Sequence, residues 1–199
     1  PFFDRLFRNV LSFVLPRPKV FLVLAYLTKL IKPFSFLLPT FLKNSLNLMP
    51  NKIPSKKIET QKIYKPESGK IISRVALLTG CVQRVISPEI NESTIRILNR
   101  HNVEVVVMPE IECCGSLNHH LGKKDLAHKS FVQNIEKWHD EYITNGLDAI
   151  ISNTSGCGTT LKDYGHIFKN DNDLKKKAKK ISELTKDCLL YTSPSPRDS

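Results

Sequence analysis

From Arg74 onward the sequence alternates short apolar runs with longer stretches of helical periodicity, and such an alternation leaves few folds open. Residues 75–78 are apolar throughout and read as a strand. Ser87-Pro88-Glu89 is a helix start, with proline at the first helical position, and Ile90, Thr94, Ile97 and Leu98 are expected to form that helix's buried stripe. Residues 103–108 are rich in valine and read as a second strand. Phe131, Ile135, Trp138 and Tyr142 lie on one face of a helix that ends near Asn145-Gly146. Residues 147–152 form a third strand, Leu161, Tyr164 and Phe168 mark the next helix, and the lysine-rich residues 174–184 another. The order β-α-β-α-β-α predicts an α/β fold with a parallel sheet and right-handed βαβ crossovers. Trp138 and Tyr164 fall in apolar stripes and read as core.

The first third of the chain has a different character. Residues 1–73 carry 13 Lys+Arg against 3 Asp+Glu, whereas residues 74–199 carry 17 against 16, so nearly all of the net charge of +11 lies before the sheet. Residues 1–43 read as short amphipathic helices broken by Pro16, Pro18, Pro33 and Pro39, a basic segment suited to a membrane interface, another subunit or the chain's own domain. Residues 44–73, with Pro50, Pro54 and Pro66, read as an extended linker, which puts a domain boundary near Arg74. The longest apolar run, residues 20–27, is far short of the ~20 residues that a spanning helix needs. The basic segment brings no nucleic-acid-binding signature with it. Pro1 at the start suggests a fragment, and residues 188–199, including Cys188, read as a translated cloning adaptor without function.

That leaves Cys81, Cys113, Cys114 and Cys157. In a parallel sheet, ligands sit beyond the carboxyl ends of the strands. Cys81 follows the first strand, Cys113 and Cys114 the second and Cys157 the third, so all four thiols are expected at one sheet edge. Four thiolates at one place suit a soft metal or an iron–sulfur cluster. Gly80, Gly115, Gly156 and Gly158 flank the cysteines and are expected to let the backbone turn tightly with N–H groups near sulfur. His119 and His120 follow closely enough to reach the same edge, and His120 is the candidate additional contact.

The blocks Gly80-Cys81-Val82-Gln83, Glu112-Cys113-Cys114-Gly115 with His120, and Asn153-Thr154-Ser155-Gly156-Cys157-Gly158 with Lys162-Asp163-Tyr164 resemble the cysteine-rich CCG domain. That domain is shared by the cysteine-rich subunit of heterodisulfide reductase and the iron–sulfur subunits of glycolate, lactate and anaerobic glycerol-3-phosphate dehydrogenases. Among these the chain is most similar to glycolate oxidase (glycolate dehydrogenase) iron–sulfur subunits. The resemblance implies a linker and a first CCG domain from an electron-transfer subunit, with a [4Fe–4S] cluster on Cys81, Cys113, Cys114 and Cys157. It implies flavin-containing partner subunits that hold FAD and oxidise glycolate to glyoxylate, the electrons passing towards the respiratory chain, and no activity for this stretch alone. It also implies a cytoplasmic location, peripheral to the inner face of the plasma membrane. Thr154 stands where the heterodisulfide reductase pattern has the first cysteine of a C-x-x-C pair, leaving four thiolates rather than five.

Two alternatives stay open from the residues. One is a metal-free or zinc-bound assembly module of a related hydroxy-acid or glycerol-3-phosphate dehydrogenase complex. The other is a thiol–disulfide redox pair made by Cys113-Cys114 with Cys81 or Cys157. The sequence lacks Gly-x-Ser-x-Gly, Walker, His-Glu-x-x-His and Gly-x-Gly-x-x-Gly motifs, so no hydrolytic site, nicotinamide or flavin is expected on this chain.

Overall fold

The computed structural model describes residues 2–37, 39, 40, 43, 46 and 63–187. The tail at 188–199 with Cys188, and most of the stretch read as a linker, lie outside the described residues. The chain forms α1 (Phe2–Val14), α2 (Pro18–Ile31) and a 3₁₀ segment (Lys32–Leu37), then β1 (Ile63–Tyr64) and β2 (Ser73–Leu78). These are followed by α3 (Gln83–Ile86), α4 (Pro88–Arg100), β3 (Val103–Val106), α5 (Ser116–His120) and α6 (Lys124–Asn145). Last come β4 (Ala149–Ser152), α7 (Ser155–Ile167), α8 (Lys175–Leu184) and β5 (Thr185–Asp187).

The sheet order is β1-β3-β2-β4-β5, with β2 in the middle. Val75 pairs with Val105 on one side and Ala149 on the other, both in parallel register. The alternation of side chains along β2 then builds two cores. Ala76 and Leu78 face Phe131, Ile135, Trp138, Leu161, Tyr164 and Ile181 of α6, α7 and α8, while Val75 and Leu77 face Ile95 and Leu98 of α4. Burial on both faces is why residues 75–78 of β2 are apolar at every position instead of every second one.

Three features depart from the sequence reading. Ile63–Tyr64, inside the stretch read as a linker, is an antiparallel edge strand on β3. Thr185–Asp187 adds a fifth, parallel strand beside β4. On α4, Ile90 and Ile97 are exposed, and the buried stripe is Asn91, Thr94, Ile95 and Leu98. The helix turns that face inward because Asn91 is needed below the sheet edge, where its Nδ2 donates to Thr79 O at 2.8 Å.

The basic N-terminal helices pack on the same body. Phe21 and Ala25 of α2 form a small apolar cluster with Val85 of α3. Ser12 donates to Asn118 at 2.7 Å in a buried hydrogen bond, and Lys123 Nζ donates to Asn9 at 2.6 Å. The opposite side of this hairpin leaves Leu6, Phe7, Val10, Phe13, Val23 and Leu30 exposed. Among the described residues no single helix is long and apolar enough to cross a membrane; α1 and α2 reach that length only as a pair bent by 113°.

Candidate functional site

The parallel register sets the ends of β2 and β4 side by side, Leu78 opposite Ser152, so the loops that leave them start as neighbours. Cys81 lies in the first, just before α3, and Cys157 in the first turn of α7, after β4. The loop after β3 brings Cys113 and Cys114 to the same edge, just before α5. The four thiols meet there. Cys114 Sγ lies 3.1 Å from Cys157 Sγ, and Cys81 and Cys113 are close enough to perturb each other's acidity and, with Cys157, to share one electrostatic environment. All four are free thiols, Cys113 and Cys114 buried and the other two half-buried.

Their acidities alternate along this series. Hydrogen bonds from Cys114 and then Cys81 hold the Cys113 thiol well below its usual range, and one from Cys114 lowers Cys157. Donating to Cys113, together with burial, pushes Cys81 up, and donating to Cys113 and Cys157 pushes Cys114 up. Cys157 also stands in the first turn of a 13-residue helix, where the helix dipole favours an anion.

The donor set, four soft sulfurs and a backbone N–H directed at one of them, fits an iron–sulfur group in its chemistry. Its spacing is that of thiols packed on one another. Among the described residues no three His, Cys, Asp or Glu side chains surround a point fit for a single metal ion. A tetrahedral zinc ion about 2.3 Å from each sulfur would keep them about 3.8 Å apart, wider than the 3.1 Å between Cys114 and Cys157. Holding zinc or a larger cluster therefore means parting this pair.

The flanking glycines divide into two kinds. Gly115 has φ +83° and Gly80 φ +71°, so both reverse the chain as expected of a tight cysteine loop. Gly156 and Gly158 do not: they lie within α7, with open space around the first and ordinary contacts to Ser152 around the second. His120 ends α5 exposed to solvent, its ring 5.7 Å from that of His119, and it makes no hydrogen bond to the cysteines.

Two polar arrangements that hold the cysteine loops escaped the sequence reading. In the first, Gln83 Nε2 donates to Asn91 Oδ1 at 2.8 Å and to Asn153 Oδ1 at 2.9 Å. Asn153 Nδ2 donates to Asn91 Oδ1, and Thr154 Oγ1 to Gln83 Oε1 at 2.8 Å. This network ties the Cys81 loop to the Cys157 loop, and Thr154 serves in it as a hydrogen-bond donor. In the second, Asn134 Nδ2 donates to Cys113 O at 2.9 Å and to Tyr164 OH at 3.0 Å, while Tyr164 OH donates to Cys114 O at 2.7 Å. Both arrangements had a signal in the sequence: Asn91 and Asn134 are amides set inside otherwise apolar helical stripes, where a polar group is kept only if its hydrogen bonds are made.

Comparison with known proteins agrees with this geometry. Residues 75–162 match the CCG family, described as a cysteine-rich domain. The chain is 34% identical over 196 residues to the glycolate oxidase iron–sulfur subunit of Escherichia coli, covering 98% of this chain and 45% of that protein. It is 29% identical over 150 residues to the probable glycolate oxidase iron–sulfur subunit of Bacillus subtilis, covering 75% of this chain and 33% of that one. It is 26% identical over 112 residues to lactate utilization protein A of Bacillus thuringiensis, covering 56% of this chain and 44% of that one. The chain thus spans less than half the length of these curated relatives, and no solved structure matches it. Residues 75–162 thus match the CCG family of cysteine-rich domains, in a chain that is similar over nearly its whole length to a glycolate oxidase iron–sulfur subunit.

Proposed function

We propose that this chain is part of the iron–sulfur electron-transfer subunit of a complex that oxidises a small hydroxy acid, glycolate being the substrate suggested by its relatives. The observation that carries the reading is the meeting of Cys81, Cys113, Cys114 and Cys157, from three separate loops, at one edge of the sheet. Those four residues are the proposed ligands. A bound iron–sulfur cluster, proposed as [4Fe–4S], would accept and release electrons one at a time. Glycolate going to glyoxylate releases two electrons and two protons, and a flavin-containing partner subunit is the proposed site of that step, passing the electrons on through this chain towards the respiratory chain. Gly80 and Gly115 shape the cysteine loops. The proposed domain boundary stays near residue 74, with β1 reaching back from it to complete the sheet.

Iron, sulfide and zinc content with a visible spectrum, on the anaerobically purified full chain, tests the reading. Stoichiometric iron and sulfide with a broad charge-transfer band are expected, both lost in the Cys81→Ser, Cys157→Ser variant. A folded wild-type chain that stays iron-free after anaerobic reconstitution overturns the reading; zinc in its place would make the domain an assembly module.

The exposed apolar side of α1 and α2 supports a second assignment, contact with an anionic membrane surface on the cytoplasmic side. Leu6, Phe7, Val10, Phe13, Val23 and Leu30 are exposed beside Arg5, Arg8 and Lys19, the composition of a helix pair lying in a lipid interface. Co-sedimentation with phosphatidylglycerol vesicles is expected at low salt and is expected to be lost in a Phe7→Glu, Leu30→Glu variant. Equal sedimentation of the two proteins would sink this assignment.

A further inference from the structure

Adjacent cysteines on one chain do not ordinarily aim their sulfurs at one place, since neighbouring side chains diverge. Here the peptides around them are held from behind. The carbonyl of Cys113 accepts from Asn134 Nδ2 at 2.9 Å and that of Cys114 from Tyr164 OH at 2.7 Å. Both donors are buried, Asn134 being 2% and Tyr164 0% exposed, and the second hydrogen of Asn134 Nδ2 goes to Tyr164 OH. Two side chains from two helices, α6 and α7, thus draw both carbonyls toward the core.

In a trans peptide the C=O and N–H bonds point in opposite directions, and no cis peptide is present among the described residues. Turning the Cys114 carbonyl toward Tyr164 therefore turns the N–H of Gly115 the other way, and that N–H donates to Cys113 Sγ at 3.4 Å. The series runs from the Tyr164 hydroxyl, through one peptide, to the sulfur of a proposed ligand. An N–H donated to a ligating thiolate withdraws charge from it and favours the reduced state of an attached iron–sulfur group.

We propose that Tyr164 is a positioning residue that raises the reduction potential of an iron–sulfur group held by Cys113, by fixing the Cys114–Gly115 peptide whose N–H donates to the Cys113 sulfur. Asn134 holds Tyr164 and the preceding peptide in place for it. The inference rests on the iron–sulfur reading above and assigns within that site a residue that touches no metal.

Tyr164→Phe is the direct test, because it removes only the hydroxyl and keeps the ring packed on Phe131, whose centroid lies 4.9 Å away. In the anaerobically loaded full chain, the variant is expected to bind iron and sulfide at wild-type stoichiometry and to show a more negative midpoint in a redox titration followed by visible absorption. In the metal-free chain, the Gly115 amide is expected to exchange its hydrogen about tenfold faster, the effect of losing one hydrogen bond of ordinary strength. Asn134→Ser serves as a second variant, with a smaller shift of the same sign in both readings. An unchanged midpoint at full iron content overturns the proposal, and so does an unchanged Gly115 exchange rate. Loss of iron in Tyr164→Phe overturns it too, making Tyr164 a structural anchor. A wild-type chain that takes up no iron overturns the underlying reading instead, and the exchange rate still reports on the peptide link by itself.

Discussion

Gly115→Ala is expected to destabilise the fold by about 2–5 kcal/mol and to abolish iron binding with it. Two costs add. With φ at +83°, any side chain must adopt the left-handed region, which costs about 1–2 kcal/mol. A Cβ there would lie 2.5 Å from Cε1 and 2.7 Å from Cδ1 of Phe131, distances that require one of them to move. Phe131 cannot swing away, because it is 2% exposed and packed against Tyr164 at 4.9 Å and Phe168 at 6.4 Å. Forcing a methyl into a filled core of this kind costs about 1–3 kcal/mol. Urea unfolding monitored by circular dichroism measures the sum, and iron content measures the damage to the loop. Gly156→Ala is the built-in control: it sits in α7 with nothing within 4 Å, so it should keep its iron and match or slightly exceed wild-type stability. Similar losses in the two variants would show that the positive φ and the Phe131 contact are not what holds the loop.

Arg74→Met is expected to cost about 3 kcal/mol while leaving iron binding intact. The guanidinium joins Glu104 on β3 at 2.7 Å, Glu141 on α6 and the carbonyl of Gly146 at 2.8 Å, closing the amino-terminal end of the sheet. The three charged side chains are 16%, 9% and 16% exposed. Removing one partner from such a buried set leaves carboxylates without compensation, which costs about 3–5 kcal/mol, and the residual exposure places this case at the low end. The loss should appear as a lower midpoint in urea at unchanged m-value. Adding Glu104→Gln and Glu141→Gln to Arg74→Met should recover part of it, since the penalty lies in unpaired charge. A loss below about 1 kcal/mol would mean that solvent screens the set as it does a surface pair. Arg74 lies at the start of β2 and Cys81 follows its far end, so stability and metal content should separate in this variant.

The chain's strands and long helices were legible because their burial is simple. Residues 75–78 of the central strand are covered on both faces and are apolar throughout, and the stripe of Phe131, Ile135 and Trp138 is buried as its spacing demands. The convergence of the cysteines followed from topology alone, since any three parallel strands deliver their following loops to one edge. What stayed hidden was polar or short. β1 is two residues long and β5 is Thr-Lys-Asp, too brief or too polar to stand out as strands. On α4 the isoleucines at 90 and 97 outweighed Asn91 on any hydrophobic scale, yet the amide is inside because its bonds to Thr79, Gln83 and Asn153 are there. Arg74 looked like the edge of a basic linker, because nothing in the local sequence announces Glu104 and Glu141, 30 and 67 residues away. Gly156 and Gly158 looked like turn residues only because they flank a cysteine.

The amide network of Gln83, Asn91, Asn153 and Thr154 bears on when in the life of the chain its cofactor arrives. In a domain whose ligand loops are ordered only by metal, the ion completes folding and chelators unfold it. Here protein-to-protein hydrogen bonds already tie the Cys81 loop to the Cys157 loop, and the sheet beneath them is complete. Binding would then be a late event on a folded scaffold: the Cys114–Cys157 pair parts to admit the group, and the affinity goes to forming bonds instead of ordering the backbone.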